Sequence, residues 1–112
     1  MSDCLFCRIA SGEARADRVY EDDRAVAFRD INPTGPTHVL VIPRKHIATI
    51  ADAAPEDDAL IGHLHRVAVQ VARADGLQDF RLVMNCGAAV GQSVFHIHLH
   101  VIGGRAFSWP PG

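Results

Sequence analysis

Three histidines at alternate positions, His96-Ile97-His98-Leu99-His100, are the residues of this sequence best suited to chemistry. In a β-strand, side chains two apart share a face, so the three imidazoles are expected to project together while Phe95, Ile97, Leu99 and Val101 project to a core. A lone histidine in an amphipathic strand reads as an ordinary polar surface residue. Three in strict alternation read as a site, because histidine has no marked strand preference. Spread over roughly 13 Å of strand, they can hardly all reach one tetrahedral ion with ligands at ~2.0–2.1 Å. The expectation is therefore that they divide their labour, with an imidazole acting as nucleophile.

Upstream lies Asn85-Cys86-Gly87-Ala88-Ala89-Val90-Gly91-Gln92-Ser93. Glycines let backbone N–H groups come close to an anion, as in phosphate-cradling loops. Such a loop alone is more often a plain turn. Opening directly onto three histidines, it points to attack on phosphorus through a phosphohistidine-type intermediate.

The elements that must hold these residues follow from pattern. A short helix is expected over residues 4–10, closed by Ser11-Gly12, and strands over 19–21 and 25–29 around Asp22-Asp23. The Asn32-Pro33-Thr34-Gly35-Pro36 cluster is a turn. Residues 38–42 form a β-branched strand stopped by Pro43. A helix over about 55–75 starts with Pro55 and three acids, carries an apolar face of Leu60, Ile61, Leu64, Val67, Ala68 and Val71, and ends before Gly76. Strands over 80–84 and 94–102 complete an α+β set with an antiparallel sheet. His63 and His65 read as surface residues.

The composition fits one domain over residues 1–112. Apolar residues make up 48% and the formal net charge is −2, so no basic patch favours nucleic acid and no apolar run is long enough for a membrane. The N-terminus lacks the apolar region of a signal peptide. Three cysteines without secretory context argue for reduced thiols and a cytoplasmic address.

His96-Ile97-His98-Leu99-His100-Val101-Ile102 resembles the signature of the histidine-triad superfamily. The likeness continues through Asp30-Ile31-Asn32-Pro33, Pro36-Thr37-His38, Lys45-His46, Gly91-Gln92-Ser93 and Trp109-Pro110-Pro111-Gly112. The last of these resembles the Hint-type branch, whose members are purine nucleoside phosphoramidases. The resemblance implies a histidine-triad fold of about five antiparallel strands, continued across a homodimer. It also implies cleavage of a purine nucleoside 5′-phosphoramidate, or a related acyl or aminoacyl adenylate, at the α-phosphorus.

By the same resemblance the catalytic set is His96, His98, His100, Ser93 and His38, with His98 the nucleophile. His100 would bond the phosphate, His38 would support the triad, and Ser93 would stand near the leaving group. Asn85 and Gly91-Gln92-Ser93 would hold the phosphate, and Asp30 the ribose. Phe6, Ile9, Phe28, Ile31 and Leu40 would form the apolar purine slot, although each also reads as simple core. The Trp109 tail would pack at the dimer interface and shape leaving-group choice.

Cys4-x-x-Cys7 has three readings: a redox pair, two incidental buried thiols, or half of a zinc site. The first lacks its βαβ context. For the third, His46 is a candidate ligand, and the resemblance supplies His96 as the fourth, making the zinc structural. Two other functions stay open: a non-catalytic nucleotide-binding regulatory or adaptor protein, and a hydrolase using zinc on the histidine strand as Lewis acid.

Overall fold

Apolar residues on both sides of the chain make Thr37–Pro43 the middle of a sheet, and every residue of this strand is buried. The computed structural model describes residues 3–112; Met1 and Ser2, which open the segment read as lacking a leader, lie outside them. The elements run α1 (Leu5–Ser11), β1 (Arg18–Glu21), β2 (Ala25–Arg29), β3 (Thr37–Pro43), α2 (Asp58–Ala74), β4 (Phe80–Val83) and β5 (Leu99–Gly103). The five strands form one sheet in the order β1-β2-β3-β5-β4, with every neighbouring pair antiparallel.

Alternation sorts the side chains of β3 onto two faces. Val39 and Val41, with Leu99 and Val101 of β5, pack against Leu64, Val67, Ala68 and Val71 of α2. Leu40 and Ile42, with Val26 and Phe28 of β2, pack against Phe6, Ile9 and Ala10 of α1. His38 and His100 share the α1 side, beyond the reach of that short helix, and this uncovered strip of sheet becomes the site.

Caps fix α1. The Cys4 sulfur accepts the Cys7 N–H at 3.4 Å at the start of α1, and Gly12 closes it with φ +86°, a left-handed value that favours glycine. The expected start of the long helix at Pro55 is a separate 3-10 turn, Pro55–Asp57. The buried Asp57 carboxylate ties that turn down by accepting from the Ala54 N–H at 2.9 Å and Lys45 Nζ at 2.6 Å.

His63 is no idle surface residue. Its Nε2 lies 2.6 Å from Asp22 Oδ2, which also accepts the Tyr20 hydroxyl at 2.6 Å, so α2 is bonded to the β1–β2 turn. Burial opposes ionisation of Asp22, but hydrogen bonds from Tyr20, Arg24 and His63 hold the carboxyl far below the usual carboxylate range. His65 is exposed, as expected.

The C-terminal segment is fastened as far as Ser108. Arg105 Nε donates to Thr34 O at 2.8 Å, Arg81 donates to Ser108 O at 3.1 Å, and both guanidinium groups lie over the Phe107 ring. Trp109 beyond it is 81% exposed. Among the described residues, no helix is long and apolar enough to cross a membrane.

Candidate functional site

The strand expected over residues 94–102 begins only at Leu99, and Phe95, expected in the core, is 46% exposed. The cause is Pro43. The ladder between β3 and β5 runs from Thr37↔Gly103 to Val41↔Leu99, and two residues further Pro43 has no N–H to give. Ile97 donates instead to Ile47 O at 2.7 Å. Residues 93–98 therefore run beside the 44–48 segment as irregular chain, with Ile97, Leu99 and Val101 still buried in the core.

This departure gives the three histidines different partners. His96 Nε2 donates to Pro43 O at 2.7 Å, which leaves Nδ1 as the lone-pair nitrogen. His98 Nδ1 donates to the carbonyl of His96 at 2.8 Å, which leaves Nε2 unprotonated. The His98 ring meets the edge of Phe6 at 5.1 Å between centroids. The third arrangement starts outside the triad: Thr34 N–H donates to His38 Nδ1 at 3.1 Å, so the proton of neutral His38 sits on Nε2. That nitrogen donates to His100 Nδ1 at 2.8 Å, with Asp30 Oδ2 3.4 Å from it. His100 must then carry its own proton on Nε2. These tautomers follow from the partners each ring has. The result is a nucleophilic nitrogen on His98 and a hydrogen-bond donor on His100, with ring centroids 5.1 Å apart.

Both rings line a cleft of about 650 Å³. Phe6, Ile9, Phe28 and Leu40 are the buried apolar wall, and Ile31, which is 91% exposed, stands at its mouth. Asp30, Gly91 and Ser93 also line it. The loop before the histidines departs from expectation in one respect. Gly87 and Gly91 have φ of +106° and +108°, but the N–H groups of Gly87, Val90, Gly91 and Gln92 are all bonded inside the loop. Gln92 is buried, and its side chain bonds Ala48 O, Val94 O and the Gly87 N–H. It shapes the loop and does not face the cleft. Asn85 is likewise absent from the cleft lining, its amide standing by Gly91. Ser93 keeps both its N–H and its hydroxyl without a partner in the chain, among the described residues.

On the other side of His96, the ligand atoms of Cys4, Cys7, His46 and His96 lie within 4.8 Å of one another. His96 Nδ1 is 3.3 Å from Cys4 Sγ, 3.5 Å from Cys7 Sγ and 3.3 Å from His46 Nδ1, and Cys7 Sγ is 3.5 Å from His46 Nδ1. A tetrahedral ion bound at ~2.0–2.3 Å spaces its ligand atoms roughly 3.3–3.8 Å apart. Lone-pair nitrogens and sulfurs at those separations can hold a metal ion. Asp30, His38 and His100 also cluster, but the 2.8 Å between the two ring nitrogens is a hydrogen bond, too short for two ligands of one tetrahedral ion.

With this geometry established, residues 3–108 match the family described as "Scavenger mRNA decapping enzyme C-term binding". The chain is 55% identical over 111 residues to an uncharacterized HIT-like protein of Synechocystis, covering 98% of this chain and 97% of that one. It belongs to the HIT family. The fold agrees with that of a HIT family hydrolase from Legionella pneumophila, with TM-score 0.95, 51% identity and coverage of 98% of this chain and 100% of the other. A HIT family hydrolase from Clostridium thermocellum superposes with TM-score 0.93 at 39% identity, covering 96% of each chain.

Pattern reading of this HIT protein missed Thr34, whose role is carried by a backbone N–H that no residue type advertises. It also missed Arg15, Asp17 and Asn32 on the cleft rim, which sit in irregular chain without periodicity.

Burial, helped by His98 and His38 and opposed by Asp30, pushes the His100 imidazole down to about 4. Burial also lowers His38, again against Asp30. A histidine held below its unfolded value of about 6.5 contributes stability that is complete above that pH and lost as pH falls toward the folded value. The HIT protein should therefore lose unfolding free energy as pH falls from about 6.5 to about 4. His100→Gln should make that fall shallower. Chemical denaturation across the window would test it, and parallel curves for the two proteins would contradict it.

Proposed function

We propose that this protein hydrolyses purine nucleoside 5′-phosphoramidates, or related acyl and aminoacyl adenylates, at the α-phosphorus through a nucleotidyl-His98 intermediate. The observation that carries the reading is the 2.8 Å bond from His98 Nδ1 to the His96 carbonyl, which commits the Nε2 lone pair to the cleft. Description of two structural relatives as HIT family hydrolases supports the hydrolytic outcome.

His98 Nε2 forms a bond to phosphorus as the bond to the leaving group breaks; a phosphoramidate releases an amine, which takes a proton from solvent, and an acyl or aminoacyl adenylate releases a carboxylate. His100 Nε2–H bonds a phosphate oxygen, and the Ser93 N–H and hydroxyl serve the phosphate and the leaving group. The His96 carbonyl holds the positive charge that the His98 ring acquires. Water then attacks phosphorus and loses a proton to solvent, the Nε2–P electron pair returns to a neutral His98, and nucleoside 5′-monophosphate leaves. Intact-mass measurement after rapid quench should find one nucleotide on His98. Tight nucleotide binding with no adduct and no turnover would favour a regulatory binder instead.

Phe6, Ile9, Phe28, Ile31 and Leu40 would hold the purine, and Asp30 the ribose hydroxyls. Asp30→Asn should weaken ribonucleotide binding by roughly tenfold or more while affecting 2′-deoxyribonucleotides less. Titration calorimetry with both sugars decides the point, since equal losses would make Asp30 a turn residue.

Cys4, Cys7, His46 and His96 would hold a structural zinc ion. When bound it would cross-link α1, the segment after β3 and the approach to β5, and it enters no step of the reaction. Two copies would pair into a homodimer, a reading supported by the edge position of β4 and by the exposed Trp109 beside the fastened 105–108 segment. In that dimer the Trp109-Pro110-Pro111-Gly112 ending would border the partner's cleft and influence which amine leaves.

A further inference from the structure

The cleft runs across the sheet. The order β1-β2-β3-β5 puts His98 and His100 at one end, Leu40 and Phe28 in the middle, and the 15–17 segment, which leads into β1, at the other. Three strand spacings separate the ends, roughly 14 Å. A nucleotide with its phosphate on His98 and its base between Phe6, Ile9, Phe28 and Leu40 would direct the far edge of that base at Arg15 and Asp17.

Neighbouring charges at this end are already committed. Arg29 makes a bidentate pair with Asp75 at 2.9 Å for both bonds, and Arg18 bonds Glu21 and the Ile9 carbonyl. The side chains of Arg15 and Asp17 make no hydrogen bond or ion pair, among the described residues, yet both line the cleft. They lie two apart in the irregular chain that leads into β1. We propose that Arg15 and Asp17 read the purine edge and select guanine over adenine. The inference rests on the nucleotide-slot reading above.

The chemistry of the two bases decides the direction. Guanine presents two acceptors, O6 and N7, which suit the guanidinium fork, and two donors, N1–H and the 2-amino group, which suit a carboxylate. Adenine puts its 6-amino donor where the guanidinium needs an acceptor, and the N1 lone pair where the carboxylate needs a donor. An arginine–aspartate pair therefore complements guanine along its whole edge and adenine only in part.

Calorimetric titration with guanosine, inosine and adenosine 5′-monophosphates tests this without any turnover. Guanosine monophosphate should bind about tenfold more tightly than adenosine monophosphate, with inosine monophosphate between them because it lacks the 2-amino group. Arg15→Ala should narrow the guanine preference without abolishing it, guanine losing more affinity than adenine, which presents only N7 to the guanidinium. Asp17→Ala should remove the difference between guanosine and inosine. Both residues are exposed, so neither change threatens folding. Equal wild-type affinities, or variants that weaken both bases alike, would overturn the proposal and leave the slot and the hydrolase reading standing. A guanine preference without any phosphoramidate turnover would sustain the proposal and sink the hydrolase reading. Failure to bind any of the three nucleotides would overturn both.

Discussion

Replacing His98 with alanine is expected to lower kcat/KM for a purine nucleoside 5′-phosphoramidate by about 10⁴-fold or more. The substitution removes the nitrogen proposed to bond to phosphorus, and among the described residues no other ring nitrogen in the cleft is both unprotonated and without a partner. His38 Nδ1 is occupied by the Thr34 N–H, and His100 Nδ1 by His38. The buried apolar wall and Asp30 are untouched, so affinity for the monophosphate product should stay within about threefold. This separation of turnover from binding distinguishes a lost nucleophile from a damaged pocket. Steady-state kinetics with calorimetry on the same preparations measures it. Near-wild-type turnover in the variant would remove His98 from the mechanism.

Loss of the metal ligands should have the largest effect on stability. Protein prepared without chelator should contain about one zinc per chain, and Cys7→Ser should lose it together with ~10 °C or more of Tm. The size of the effect follows from where the ligands come from. Cys4 caps α1, Cys7 lies within it, His46 follows β3, and His96 precedes β5. One ion would thus join three segments that are otherwise held by the Phe6 and Ile9 contacts and a few hydrogen bonds, among them His96 to Pro43 O, Ile97 to Ile47 O and Arg44 to Ala10 O. His46 is exposed while His96 is fully buried, so His46→Ala should remove the metal with the least disturbance of the core. Metal analysis and thermal melting of both variants provide the check. Metal-free wild type, or variants melting like it, would end the zinc assignment.

The sheet was legible because its strands carry distinct patterns. The β-branched run at 38–42 became the buried centre, and the apolar stripe from Leu60 to Val71 became the face of α2. The grouping of His96, His98 and His100 was legible from alternation. The way they divide was not, because it depends on Pro43 ending a ladder with a strand some 55 residues away in sequence. The glycine loop showed where the chain turns, but not which N–H groups the turn would consume. The resemblance implies that Gln92 helps hold the phosphate, and its side-chain bonds to Gly87 N–H, Ala48 O and Val94 O are contacts that no residue pattern carries. His63 carried no signal, since its partner Asp22 lies far off in sequence and meets it only through packing.

The order of the strands also has a consequence for synthesis. β5 enters the interior of the sheet, between β3 and β4, and it is the last strand in the chain. A nascent polypeptide that has emerged only through β3 can pair β1, β2 and β3, but its β3 edge, apolar along nearly its whole length, faces water. Such an edge is a template for pairing with other chains. Neither wall of the cleft works without the other, since Phe6 and Ile9 arrive first and Ser93, His98 and His100 last. The proposed nucleotide would therefore have nothing to bind until that edge is covered, and every molecule it captured would be one withdrawn from the aggregation-prone pool.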